Sequence, residues 1–509
     1  MKLEGGTHRG NPSLASNSRW NLIAFAFTLA ANFVTIPFVV RWIGLDAFGL
    51  AALVLAVCAP MTLIGTVLGQ ALIREISSRE GAHEPQAAEH CLQAAMRLCL
   101  AATVPCGLLL IAAGPSITQS MSSTAAPDSL HLAFLMAATG GMAQQAVLVL
   151  QGASAARRDY RTIANVTMFS ALASVATTLG FAWCDPSAVG YLQGVAAGFL
   201  LSLAAWLFTL NAEIGWRGLF WTHRRVETAA LLHFGKWQGL AQLAGAFGNQ
   251  IDRYALGALA PIAVVGQYTV ANRLQEAAYI GVVKAGEVLF PHFGSMSNAD
   301  IQQRQRFFQT SSWIMGVFSA AMLAPLALLA HGVLTLWVGA DAASGSDRIL
   351  VVLVIGGMVG SASNVFVYYA MGMGRNAPVA AISVMYSLLT VLTTVVLITL
   401  IGPAAAGAGL LFASVVRVVV SLIVTRRLFF PALAWKDLFV STALPMLVGT
   451  GVVMIGHHAA WTRPDNWFTL LPAYAALGAS VLLVNVLAGA ATQAGRDILQ
   501  QVARALRRV

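Results

Sequence analysis

The chain has 509 residues, of which 58% are hydrophobic and 10% charged, and its mean hydropathy is +0.73. A soluble domain carries about 25% charged residues, so a sizeable soluble domain is excluded. The net charge of +10 invites a nucleic-acid partner, but the basic residues fall between apolar runs, where membrane topology accounts for them first, and no nucleic acid is expected.

A hydrocarbon core about 30 Å thick is crossed by roughly 20 apolar residues in a helix. Runs such as Leu350–Val359 and Val415–Val424 lack the alternation of barrel strands, and open sheets leave backbone groups unsatisfied in lipid. The expected fold is therefore all-α, a polytopic bundle of about fourteen helices. In chain order the predicted spans are 21–42, 48–72, 94–117, 130–152, 162–184, 188–210, 236–257, 263–291, 307–338, 349–373, 378–401, 404–425, 438–458 and 467–489. The first follows Lys2, Arg9 and Arg19. Its length, with no small-x-small cleavage site behind it, marks an uncleaved span rather than a signal peptide. Asp185-Pro186, Gly402-Pro403, Pro464-Asp465 and the Ser/Gly-rich Ala340–Asp347 punctuate the connections.

Charge orients the bundle. The even-to-odd connections carry Arg74 and Arg79, then Arg157, Arg158 and Arg161, then Arg217, Arg224, Arg225 and Lys236. Later ones carry Arg304, Arg306, Arg375, Arg426, Arg427 and Lys436, whereas the opposite side has Arg348 and Arg463. Both termini are expected in the cytoplasm of a bacterial-type inner membrane. The tail places Arg496, Arg504, Arg507 and Arg508 among Leu499, Val502 and Leu506; a helix lying on the inner leaflet and a frayed tail fit equally. Trp42, Trp183, Trp337, Trp461 and Trp467 fall at outer ends, and Trp216, Trp221, Trp237 and Trp435 at inner ends, which makes an aromatic belt. Pro37, Pro105, Pro291 and Pro325 are positioned to kink spans. The cysteines, Cys58, Cys91, Cys99, Cys106 and Cys184, form no Cys-x-x-Cys and read as small apolar fillers.

The halves resemble each other. Arg41-Trp-Ile-Gly44 and Phe48-Gly49 are matched by Asp252-Arg253 through Gly257 and by Gly266-Gln-Tyr268. Leu150-Gln151-Gly152 before Arg157 is matched by Ala370-Met371-Gly372 before Arg375, at offsets of about 210 to 220 residues. The expected organisation is a tail 1–20, an N-lobe 21–233, a C-lobe 234–430, an appended helix pair 431–490 and a basic tail 491–509, with two six-helix lobes facing a cavity.

Asn32 through Gly49, Asp252-Arg253 through Tyr268 with Arg273-Leu274, and Leu150-Gln151-Gly152 resemble polysaccharide-biosynthesis flippases. These belong to the multidrug/oligosaccharidyl-lipid/polysaccharide (MOP) exporter superfamily. The resemblance implies transport of undecaprenyl-diphosphate-linked oligosaccharide to the outer leaflet by alternating access, for exopolysaccharide or O-antigen export. It implies a lipid-linked substrate, membrane lipids and polymerase or export machinery as partners, and no cofactor. A multidrug extruder or peptidoglycan-precursor flippase of the same superfamily is the alternative. A membrane polymerase or ligase fits less well: the longest outer connection, Ile117–Ser129, holds no His and Asp128 as its one acid, and no P-loop or Gly-x-Ser-x-Gly motif occurs.

Ionised groups within lipid are costly and need water or partners. Arg273, Glu276, Ile280, Lys284 and Glu287 fall on one helical stripe, spaced as two ion pairs. A wet cavity face and two self-satisfied buried pairs are the competing expectations. Given the resemblance, Arg41, Arg253, Arg273 and Lys284 are the candidate substrate contacts in the cavity, the three arginines for a lipid-diphosphate, whose oxygens guanidinium groups match. Snorkelling is the rival for Arg41, and Asp252 is placed to neutralise Arg253. Asp252, Glu276 and Glu287 are the ion-coupling candidates. Arg97 and Arg417 are expected as interface anchors. His131, His331, His457 and His458 give no metal-ligand spacing.

Overall fold

The computed structural model describes residues 14–81, 85–121, 127–157, 159–214, 228–229, 231, 250–296, 299–458 and 466–506. Helices joined by turns and short irregular segments account for all of them, as expected where backbone groups cannot find water. The chain divides into two compact units, Met1–Ala246 and Phe247–Val509.

The first unit holds α1 (Leu14–Cys58), α2 (Thr62–Gly81), α3 (Pro85–Met121), α4 (Pro127–Ala156), α5 (Tyr160–Cys184) and α6 (Ala188–Ile214). The predicted break after the first span is a kink at Gly44, whose φ of +78° is reached without strain by glycine. The apolar segment Ile23–Ile73 is 51 residues long, too long for one crossing of about 30 Å. The second predicted span is itself interrupted by a 3-10 turn at Ala59–Met61, where Pro60 has no N–H to continue the helix.

Leu72, Ile76, Leu92, Met96, Leu150 and Trp206 form a core shared by α2, α3, α4 and α6. Phe134 and Leu192 anchor another beside α1. Close approach rests on small residues, as is usual between membrane helices. A Cβ on Gly152 of α4 would lie 2.8 Å from the Gly69 carbonyl of α2. Trp42 and Trp183 meet edge to face at 5.2 Å, which brings the ends of the first and fifth predicted spans together.

The second unit holds α7 (Ile251–Leu259), α8 (Ile262–Glu287), α9 (Leu289–Ser295), α10 (Ile301–Leu328), α11 (Ala330–Val338), α12 (Ala340–Ser361) and α13 (Asn364–Gly372). It continues with α14 (Asn376–Ile401), α15 (Ala408–Val424), α16 (Trp435–Thr442), α17 (Leu444–His458), α18 (Trp467–Ala490) and α19 (Gln493–Leu506). Several predicted spans are broken pairs: α8–α9, α10–α11, α12–α13 and α16–α17, the last bent by 50°. Among the described residues, ten helical segments are long and apolar enough to cross a membrane, or eleven with the bent pair. The 51-residue segment contains two predicted spans, and α8 stands apart through its charges. Of the predicted seventh span, 236–257, residues before 250 lie outside the described ones.

Two expectations change. Ala340–Asp347 is not a loop: α12 starts at Ala340, and Ser344–Gly345 kink it, Gly345 at φ +87°. The C-terminal segment is neither frayed nor laid with its apolar side on lipid. In α19 Ile498 is buried against Trp313 and Val317 of α10, with Leu499 and Val502 beside it. Thr310 donates to Gln501 at 2.8 Å.

Candidate functional site

Charged side chains concentrate on α7 and α8 of the second unit. Ala260–Pro261 reverses the chain between these helices: Pro261 caps α8 with ψ 144°. The reversal brings Asp252 and Arg253 against the first turns of α8. Asp252, 3% exposed, accepts hydrogen bonds from the Tyr268 hydroxyl at 2.7 Å and from the Thr394 hydroxyl at 3.0 Å. Thr394 is brought close by tight packing of α14 on α15. A Cβ at Gly409 would lie 2.6 Å from the Thr394 nitrogen, and Thr393 donates to the Gly409 carbonyl at 3.1 Å.

Arg253, 7% exposed, turns to other partners. Its Nε donates to Thr269 Oγ1 at 3.4 Å, its Nη1 to Gln250, and its guanidinium lies 5.9 Å from the Tyr268 ring centroid. Adjacent in sequence, Asp252 is held by two hydroxyls and Arg253 by a hydroxyl, an amide and a ring, while their opposite charges also attract each other.

Further along α8 the stripe is real. Arg273, Glu276, Lys284 and Glu287 are exposed, Ile280 is half-buried, and Val270, Leu274, Val282 and Gly286 are packed away. Arg273 meets Glu276 at 3.4 Å, with side chains 54% and 52% exposed. Lys284 meets Glu287 at 2.8 Å, at 43% and 49%. Asn272 donates to Glu276 at 2.8 Å. Both pairs form as their spacing predicts, on the open face of the helix rather than between helices, so the expectation of buried self-satisfied pairs falls.

Arg41 is exposed just before the Gly44 kink. Arg253, the residue the sequence pairs with it, is buried instead. Arg417 lies within α15, with its guanidinium 5.2 Å from the Tyr386 ring centroid, in reach of cation–π attraction. His331 pairs with Asp347 at 2.9 Å. His457 and His458 have side chains outside the described residues. No disulfide joins the cysteines; Cys58, Cys91 and Cys99 are buried fillers, whereas Cys184 is exposed.

Sequence reasoning missed Thr394 as a partner of Asp252, since 142 residues separate them. Tyr268 carried a signal, standing in the segment that resembles the flippase second lobe.

The profile of a family described as "Polysaccharide biosynthesis protein" matches residues 14–297. Comparison with curated proteins gives no match. Solved structures resemble the chain closely. The lipid II flippase MurJ, in an inward closed conformation, gives a TM-score of 0.71 at 10% identity, covering 92% of this chain and 97% of its own. An inward-facing multidrug resistance MATE family transporter of the MOP superfamily gives 0.66 at 13%, covering 86% and 99%. A MOP superfamily transporter from Pyrococcus furiosus gives 0.58 at 14%, covering 82% and 96%. At such identities the likeness establishes the fold.

Proposed function

We propose that this chain, which belongs to the polysaccharide biosynthesis protein family and has the fold of MOP-superfamily transporters, is a flippase for undecaprenyl-diphosphate-linked oligosaccharide. It moves the head group from the inner to the outer leaflet of a bacterial inner membrane by alternating access, both termini being cytoplasmic, and supplies exopolysaccharide or O-antigen assembly.

The observation that carries this is the row Arg273, Glu276, Lys284 and Glu287, exposed along one face of a helix in an apolar bundle. Ionised groups within a bilayer face water or partners. Arg273 offers donors to diphosphate oxygens, and Lys284 puts an ammonium on the same face of the helix. Arg253 is buried and shapes the local field instead of meeting the anion first. The paired Glu276 and Glu287 hold the cations extended and yield them when a stronger anion arrives.

Asp252 is the foremost coupling carboxylate. A buried carboxyl between two hydroxyls can take up a proton or small cation, and occupancy would alter its bonds to α8 and α14. Glu276 and Glu287 are secondary candidates on the exposed row.

Reconstitution tests the proposal. Lipid-linked saccharide from cells lacking this protein is placed in proteoliposomes and its appearance on the far leaflet is measured. Transport of that lipid, with accumulation on the inner leaflet of the deleted cells, is the expected result. Export of cationic drugs without movement of the lipid would replace the proposal with the multidrug alternative.

A further inference from the structure

Beside the charged row, α8 and α13 are joined by two tyrosines. The Tyr279 hydroxyl and the Asn364 side-chain amide bond to each other at 3.3 Å and 3.1 Å. One turn further on, the Tyr368 hydroxyl donates to the Val283 carbonyl at 3.1 Å. Both links join residues 85 apart, so the helices run in parallel register. Each ring lies against a glycine. A Cβ on Gly357 would be 3.6 Å from Tyr279 Cδ2, and one on Gly286 would be 2.7 Å from Tyr368 Cε2. The phenolic tips are therefore anchored and part of each ring is backed by main chain, yet both tyrosines stay half-buried. Tyr368 also interacts electrostatically with Glu287 and Tyr279.

We propose that Tyr279 and Tyr368, with Asn364 and the Lys284–Glu287 pair, form the saccharide subsite of this transporter, distinct from the Arg273 guanidinium that takes the diphosphate. A pyranose presents an apolar C–H face and a rim of hydroxyls. It is held where a fixed aromatic ring meets the face and a carboxylate, amide or ammonium meets the rim. Packing alone would be served as well by aliphatic side chains, which leave no hydroxyl to satisfy. Placement agrees with the chemistry. Tyr279 follows Arg273 by six residues, about 9 Å along the helix. Sugars bonded to a diphosphate at Arg273 would reach Tyr279 by turning about a third of the way around the helix as well as along it.

The inference rests on the flippase proposal, and binding measurements separate the two. Purified protein in nanodiscs is titrated with lipid-linked saccharide from cells lacking this protein, and with undecaprenyl diphosphate bearing no sugar. The wild type should bind the saccharide form more tightly. Tyr279→Leu and Tyr368→Leu should each weaken that form about three- to tenfold, and leave the sugar-free lipid unchanged. Tyr279→Phe and Tyr368→Phe keep the ring and should stay within about threefold. Only variants whose thermal melts match the wild type are compared, so that equal loss of both ligands does not come from misfolding. Equal loss of both ligands in the Leu variants, or no loss, overturns the subsite. So does a loss in the Phe variants as large as in the Leu variants. Equal binding of the two lipids by the wild type removes the subsite but leaves the flippase standing; binding of neither removes both.

Discussion

Tyr268 of α8 donates its phenolic hydrogen to Asp252 of α7 at 2.7 Å, across the Pro261 turn, while Thr394 of α14 takes the other carboxylate oxygen at 3.0 Å. Three helices thus meet at one buried acid. Asp252→Asn keeps the shape but cannot change charge, and should abolish dependence of transport on a proton or sodium gradient, with at least a tenfold loss of rate. Tyr268→Phe should retain the dependence at reduced rate, since the carboxyl remains. Transport in proteoliposomes with imposed gradients checks both. A wild-type rate insensitive to pH and sodium contradicts the role of Asp252.

Arg273→Ala should lower lipid-diphosphate binding at least tenfold, and Arg273→Lys should recover part of it, because an ammonium lacks the planar fork. Folding should be spared. The Arg273–Glu276 pair is 54% and 52% exposed, and such pairs contribute about 0.2–1 kcal/mol. Protein yield and thermal midpoint should match the wild type while binding falls.

Gly152 and Gly372 each let a helix approach its neighbour closely. A Cβ at Gly152 would meet Gly69 of α2 at 2.8 Å, and one at Gly372 would meet Phe293 Cβ of α9 at 2.8 Å. Gly152→Ala and Gly372→Ala should each destabilise their unit by about 1–3 kcal/mol through overpacking. Gly180→Ala, with nothing within 4 Å of its Cβ, should be neutral or slightly stabilising. Detergent-solubilised thermal melts check the order.

Ile498→Asp should undock α19. The side chain is 4% exposed beside Trp313 and Val317, and an unpaired carboxylate there is costly. A lower thermal midpoint and faster proteolysis within the 14 residues of α19 are the expected outcome.

Much of the bundle was legible in the sequence because lipid imposes a single rule, long apolar runs with charges between them, on every span. The stripe on α8 was legible for the same reason: Arg273, Glu276, Lys284 and Glu287 obey helical periodicity, and their pairs are local. Breaks within spans were harder. Ala59–Met61, Leu329 and Ala362–Ser363 interrupt helices without interrupting hydropathy. The partners of Asp252 were not legible, since Thr394 reaches it through packing of α14 on α15 and leaves no trace in local spacing. The docked face of α19 was also hidden: an amphipathic stretch looks the same whether lipid or protein covers it.

The physical claim beneath the transport proposal is that the open face of α8 borders water. Ile280 tests it without disturbing a charge, for it lies on the row, half-buried, between the two ion pairs. In a variant with the five native cysteines replaced by alanine, Ile280→Cys should react with a membrane-impermeant maleimide and be protected by lipid-linked saccharide. Val282→Cys, on the packed face at 0% exposure, should stay unmodified. An inert Ile280→Cys in folded, membrane-inserted protein would place that face against acyl chains and contradict the account.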